Sequence, residues 1–164
     1  MISSLLSRTL LLLAVLATIA PARARAGGDW NDTGVAWQPY EAGLALAKKE
    51  KKPVLLIFYT EWCPHCTNYS KLFHDQAVID KTRQFVMIRV DKDKQPEISK
   101  THAPDGEYIP RTYFLSSDGV LDPSLAAARD KYRYFYNESD PKDVLAAMDT
   151  ALAKLAAKPA AATK

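Results

Sequence analysis

Short apolar blocks alternate along this chain with charged stretches, and the period changes from block to block. Residues 39–52 place Tyr40, Leu44 and Ala47 on one stripe behind Pro39, which predicts an amphipathic helix. Its end, Lys48-Lys49-Glu50-Lys51-Lys52, puts positive charge where the macrodipole prefers cations and reads as a solvated helix terminus. Val54–Tyr59 is short and continuously apolar, the pattern of a central strand buried on both faces. A helix opening at Cys63 carries Cys66, Tyr69, Leu72 and Phe73 on its inner side and runs to about Asp80. Residues 85–90 predict a second buried strand, and residues 95–102 a short helix with Pro96 in its first turn.

The second half is less periodic until its end. Residues 112–115 and a partner starting near Val120 flank Ser117-Asp118-Gly119, a hairpin turn signal. Residues 121–131 then make a long connection, and residues 132–136 have the composition of a final edge strand. Tyr132, Tyr134 and Tyr136 would share one face of that strand; a partner-binding stripe is the rival reading. The last helix is clearly marked, with Asp140 as N-cap, Pro141 first, and Val144, Met148, Ala151, Leu152 and Leu155 on one face. Strands and helices that alternate, then a hairpin, then a terminal helix define an α/β fold: a mixed sheet with helices on both faces.

Residues 9–20 form an apolar stretch behind Arg8, followed by small residues at Ala24-Arg25-Ala26. This reads as a signal peptide over residues 1–26, too short for a comfortable transmembrane helix. It leaves a domain over residues 27–157, with a polar lead-in carrying Trp30 and Trp37, and a frayed tail over residues 158–164. The formal charge of +3 belongs to the leader, which holds Arg8, Arg23 and Arg25 and no acidic residue. A neutral remainder gives no reason to expect nucleic acid as a partner. Export implies a compartment that tolerates disulfides.

The two cysteines of the chain are Cys63 and Cys66, in Trp62-Cys63-Pro64-His65-Cys66. A cysteine at a helix N-terminus meets unpaired backbone N–H groups and the positive end of the dipole, which favour thiolate over thiol. Pro64 suits the first helical position, and Cys66, one turn on, can close a disulfide with Cys63. So close a pair removes little unfolded-state entropy, so it is a poor staple and a good redox couple. His65 can offer positive charge or an N–H donor near the Cys63 sulfur. Trp62 either shields Cys63 and offers apolar contact to partners or simply packs.

Over nearly the whole mature chain these features resemble a thioredoxin-fold protein. The run Pro104-Asp105-Gly106-Glu107-Tyr108-Ile109-Pro110-Arg111-Thr112-Tyr113-Phe114-Leu115, with the late Tyr-Arg-Tyr-Phe-Tyr, is similar to the small endoplasmic-reticulum thioredoxin-like and anterior-gradient family. Lys52-Pro53-Val54 resembles the exported thioredoxin-like domain of a transmembrane electron carrier. The resemblance implies that Pro110 is a cis-proline facing the cysteine pair and that the Ile109 backbone pairs with an extended substrate segment. It also implies that Cys63 attacks and Cys66 resolves. The Pro-His dipeptide is that of a strongly oxidising periplasmic enzyme. The buried acid and base of thioredoxins are replaced here by Ile57 and Met87. The chain ends Ala-Ala-Thr-Lys, without a retrieval signal, which points to a periplasmic or secreted protein.

The expected function is disulfide exchange with exported proteins that carry thiols or disulfides, oxidation or isomerisation ahead of reduction. No cofactor is expected beyond the Cys63–Cys66 disulfide, which a membrane or small-thiol partner would recharge. The rivals are a reductase fed by a membrane electron donor, a client-binding module, and metal handling by Cys63, Cys66 and His65 with His74 or His102. Metal is disfavoured because a tetrahedral site wants four ligands and no second Cys-x-x-C or spaced His pair exists. Thr67, where a haem attachment motif requires His, excludes that reading.

Overall fold

The computed structural model describes residues 28–156; the leader and tail read from the sequence lie outside them. Four strands form one mixed sheet: β1 (Trp37–Gln38), β2 (Val54–Tyr59), β3 (Val86–Asp91) and β4 (Arg111–Leu115). Their spatial order is β1-β3-β2-β4. β3 runs parallel to both β1 and β2, while β4 runs antiparallel to β2, with Phe58 opposite Arg111 and Val54 opposite Leu115. β2 is thus enclosed on both edges, as its unbroken apolar run requires.

Helices cover both faces. α1 (Tyr40–Glu50) and α4 (Pro96–Thr101) lie with Leu56, Phe58, Ile88 and Tyr113. α2 (Pro64–Ser70), α3 (Gln76–Thr82) and α5 (Lys142–Ala156) lie with Leu55, Ile57, Met87 and Phe114. The alternation along β2 sends odd and even residues to opposite cores. The lead-in supplies more than was read from it. Trp30 and Trp37 meet edge to face at 5.9 Å and both pack on Phe73. The Arg89 guanidinium lies 5.2–5.5 Å from the rings of Trp30, Trp37 and Tyr59 and pairs with Asp32 at 3.0 Å.

Three expectations are corrected. The helix expected from Cys63 to about Asp80 is three pieces: α2, a 3₁₀ turn (Lys71–His74) and α3. Asp75 takes extended backbone (φ −71°, ψ 130°), and its carboxylate accepts from the Ala77 and Val78 amides, so it caps a new helix. The expected hairpin shrinks to a bridge between Leu115 and Leu121. Gly119 turns the chain at φ 79°, but Pro123 cannot donate to a ladder and the Asp122 carboxylate accepts from the Ser124 amide.

The edge strand at residues 132–136 does not form either. Tyr132 is left-handed (φ 54°), and the Phe135 amide donates back to the Tyr132 carbonyl at 3.0 Å. One sheet-like bond survives, from the Thr112 amide to the Tyr134 carbonyl at 2.8 Å. The three tyrosines therefore share no stripe. Tyr134 is buried against Tyr113, Tyr136 is buried near Phe114, and Tyr132 is exposed.

Candidate active site

β2 ends at Tyr59, and a short turn leads into α2. Cys63 is the N-cap of that helix, with extended backbone (φ −81°, ψ 113°), and Pro64 takes the first helical position. The Cys63 sulfur accepts a hydrogen bond from the Cys66 amide at 3.1 Å, so the sulfur itself satisfies one of the orphan donors of the helix start. The Cys63 S–H points toward the Ile109 carbonyl at 4.0 Å. Both cysteines are unbonded thiols, Cys63 nearly and Cys66 wholly buried.

Burial pushes the Cys66 thiol far above its ordinary range, and the neighbouring Cys63 and the Glu138 charge add to the shift. Ile57 and Met87, which stand where thioredoxins carry a buried acid and base, belong to the same apolar core as Cys66. The first sulfur is held where one backbone N–H reaches it; the second is held where a charge is unwelcome.

The peptide bond between Ile109 and Pro110 is cis. Arg111, fully buried, anchors the turn before it: its guanidinium donates to the Gly106 carbonyl at 2.8 Å and to the Ser99 hydroxyl at 2.5 Å, and lies 4.9 Å from the Phe58 ring. Tyr108 ties the same turn to the distant irregular segment. Its phenol donates to Asp105 at 2.8 Å and accepts from the Tyr134 amide at 2.9 Å.

Trp62 is 69% exposed beside Cys63, and its indole N–H donates to Asp93 at 2.6 Å. It belongs to the open rim, not to the core. The structure thus brings together Cys63, Pro64, Cys66, Ile109 and Pro110, with Trp62 at the edge. His65 stands apart. Its Nδ1 lies 2.9 Å from a Glu138 carboxylate oxygen, and its ring meets Phe135 edge-on at 5.9 Å. His74 meets the Asp29 carbonyl at 3.0 Å, and His102 sits among Tyr40, Phe58 and Tyr113. Among the described residues, no three of His, Cys, Asp and Glu gather as a metal site, and no helix is long and apolar enough to cross a membrane.

Glu138, Asn68, Asp93 and Tyr108 were not singled out from the sequence. Asn68 follows His65 by three positions, which puts both on one helix face and was legible. Glu138 lies 73 residues from His65 in a stretch without periodicity, and nothing local marks it.

A cysteine pair at the start of the helix after a central strand, opposite a cis-proline before an antiparallel strand, defines a thioredoxin-fold thiol–disulfide oxidoreductase. The chain matches the Thioredoxin-like family over residues 36–117. It is 32% identical over 114 residues to anterior gradient protein 3 of Xenopus tropicalis, covering 68% of this chain and 67% of that one. It is also 32% identical over 124 residues to the human anterior gradient protein 2 homolog, covering 75% and 69%. The chain therefore belongs to the thioredoxin-like family, in its anterior gradient branch. Among solved structures, a Thermus thermophilus thioredoxin has a TM-score of 0.58 at 21% identity, covering 74% of this chain and 89% of that one. A DsbH oxidoreductase has 0.51 at 19%, covering 70% and 85%. At these identities both show the fold alone.

Proposed function

We propose that this protein is an exported exchanger of protein disulfides that works through Cys63 and Cys66, in the oxidising and isomerising direction. The observation that carries the reading is the Cys63 sulfur, which lies between the Cys66 amide and the Ile109 carbonyl at the start of α2. A client segment running beside Ile109 would bring its own sulfur to that point.

In the oxidising step a client thiolate attacks the Cys63 sulfur of the closed pair. The Cys63–Cys66 bond breaks, and Cys66 leaves and takes up a proton. A second client thiolate then attacks the client sulfur of the mixed disulfide, which releases Cys63. The client loses two electrons, and the pair, now a dithiol, has gained them. A membrane oxidant or a small-molecule disulfide would accept those two electrons and close the pair again. The redox centre is the pair itself, so the proposal includes no bound cofactor.

Two features bear on direction, the first favouring isomerisation and the second oxidation. Cys66 is held strongly toward the protonated thiol by burial. Its attack on a mixed disulfide is then slow, which leaves time for client thiols to rearrange. Pro64-His65 is also the dipeptide that resembles strongly oxidising enzymes. Export rests on the leader over residues 1–26 and on the similarity to anterior gradient proteins. Trp62, exposed beside Cys63, would give clients an apolar contact.

Replacing Cys66 by Ser tests the reading. With a client that carries mispaired disulfides, the Cys63 thiolate of the variant should attack one, expel its other sulfur as a thiolate and accumulate as a covalent mixed disulfide, while the parent releases product. A module that only holds clients would form no covalent adduct and would keep its noncovalent partners after the substitution.

A further inference from the structure

Glu138 is mostly buried for a surface carboxylate, with a side chain 19% exposed, and both of its oxygens are committed to one helix. One lies 2.9 Å from His65 Nδ1; the other accepts from the Asn68 amide nitrogen at 3.2 Å. Asn68 in turn accepts from Lys71 at 3.2 Å. His65 and Asn68 are three residues apart in α2, so Glu138 grips the first turn of the helix that bears both sulfurs. Phe135 lies edge-on to the same imidazole and completes its seat. The charged side chains Lys71 and Asp75 line an open cleft of about 470 Å³ with Glu138. Asp75 is occupied in capping α3.

His65 is the side chain that a Cys-Pro-His-Cys sequence would aim at the first sulfur, yet its ring is turned to a carboxylate. The bonds of the Cys63 sulfur run to the Cys66 amide and the Ile109 carbonyl instead. We propose that Glu138 is a positioning residue that lowers the reduction potential of the Cys63–Cys66 pair by holding the His65 ring away from the Cys63 sulfur. The inference rests on the exchange reading above and deepens it: Glu138 restrains the oxidising power that the dipeptide confers.

The sign follows from charge and geometry. Opening the disulfide takes up two electrons and leaves sulfur that carries negative charge more readily than the closed form. A nearby N–H donor or cation stabilises that open form, and a nearby carboxylate destabilises it. The Glu138 charge also pushes the Cys66 thiol upward, in the same sense. Freed of Glu138, His65 is exposed enough, at 62% of its side chain, to swing toward the sulfur.

The test equilibrates the parent, E138A, H65N and the double variant with reduced and oxidised glutathione and reads the dithiol fraction. E138A should shift the equilibrium constant toward the dithiol by at least about threefold, about 14 mV for a two-electron couple. The shift should shrink in the H65N background, because the effect passes through the ring. E138Q, which keeps the side chain's length and loses its charge, should move the same way even if E138A folds poorly. An unchanged constant in E138A and E138Q, or an equal shift with and without His65, overturns the role of Glu138 while leaving disulfide exchange intact. A parent pair that closes in no glutathione buffer overturns both.

Discussion

Two regions meet at the cysteine pair and are built differently. From Val54 to Asp91 the chain is held by its own backbone: β2 and β3 pair residue by residue, and α2 and α3 leave the sheet at capped ends. Over residues 116–139 the chain forms no helix and no full strand, and side chains supplement its few scattered backbone bonds. The Asp105 carboxylate and Tyr108 phenol hold the Arg133 and Tyr134 amides, and the Tyr136 phenol donates to the Leu125 carbonyl at 3.4 Å. Ladder bonds are interchangeable along a strand, whereas each of these side-chain bonds depends on one residue. The regular region places the sulfurs; the irregular one delivers Phe135 and Glu138 to the helix beside them. Position and adjustment of the pair are thus supplied by separate parts of the molecule.

The sharpest way to break this division is at the sulfur. Cys63→Ser should abolish exchange with reduced clients, followed by gel shift of client disulfides, without unfolding the protein. Next in size is Phe73→Ala. The ring is fully buried against Trp30, Trp37 and Tyr69, and its loss should cost about 3–5 kcal/mol in urea unfolding. Tyr108→Phe should cost less, about 1–2 kcal/mol, because it strands the Tyr134 amide and removes one of two donors to the Asp105 carboxylate. It should also open residues 124–133 to limited proteolysis while β2 and β3 stay protected from hydrogen exchange. Equal loss of protection in both regions would show them to be one cooperative unit.

The smallest effect concerns acid. Burial, helped by the nearby Arg111 charge, holds His102 below the usual histidine range. The unfolded chain therefore binds a proton that the folded one resists. The contribution of His102 to stability is complete above the ordinary value of 6.5 and is lost as pH falls below it toward the depressed folded value. His102→Gln should flatten the decline in urea stability between pH 7 and pH 5, and an unchanged slope would contradict that account.

Most of the regular region was legible in the sequence. The apolar run of β2, Cys63 and Pro64 at a helix start, and Asp140 before the last helix each carry a local physical signature. Asp140 indeed accepts from the Lys142 amide at 3.0 Å. The break at Asp75 had a signature too, a capping residue, but apolar spacing that continues through Leu72, Phe73 and Val78 masks it. Alternating tyrosines at residues 132–136 suit a strand by composition, yet Tyr132 adopts a positive φ and Tyr134 answers to Tyr108, a tertiary partner. Glu138 had no readable signal, since its meaning lies wholly in what the fold brings beside it.

The most direct measurement is the reduction potential of the Cys63–Cys66 pair by equilibration with glutathione buffers. The account predicts one two-electron transition between about −120 and −200 mV, oxidising but short of the strongest oxidants because Glu138 holds His65. A value near about −270 mV, or a pair that never closes, would contradict it.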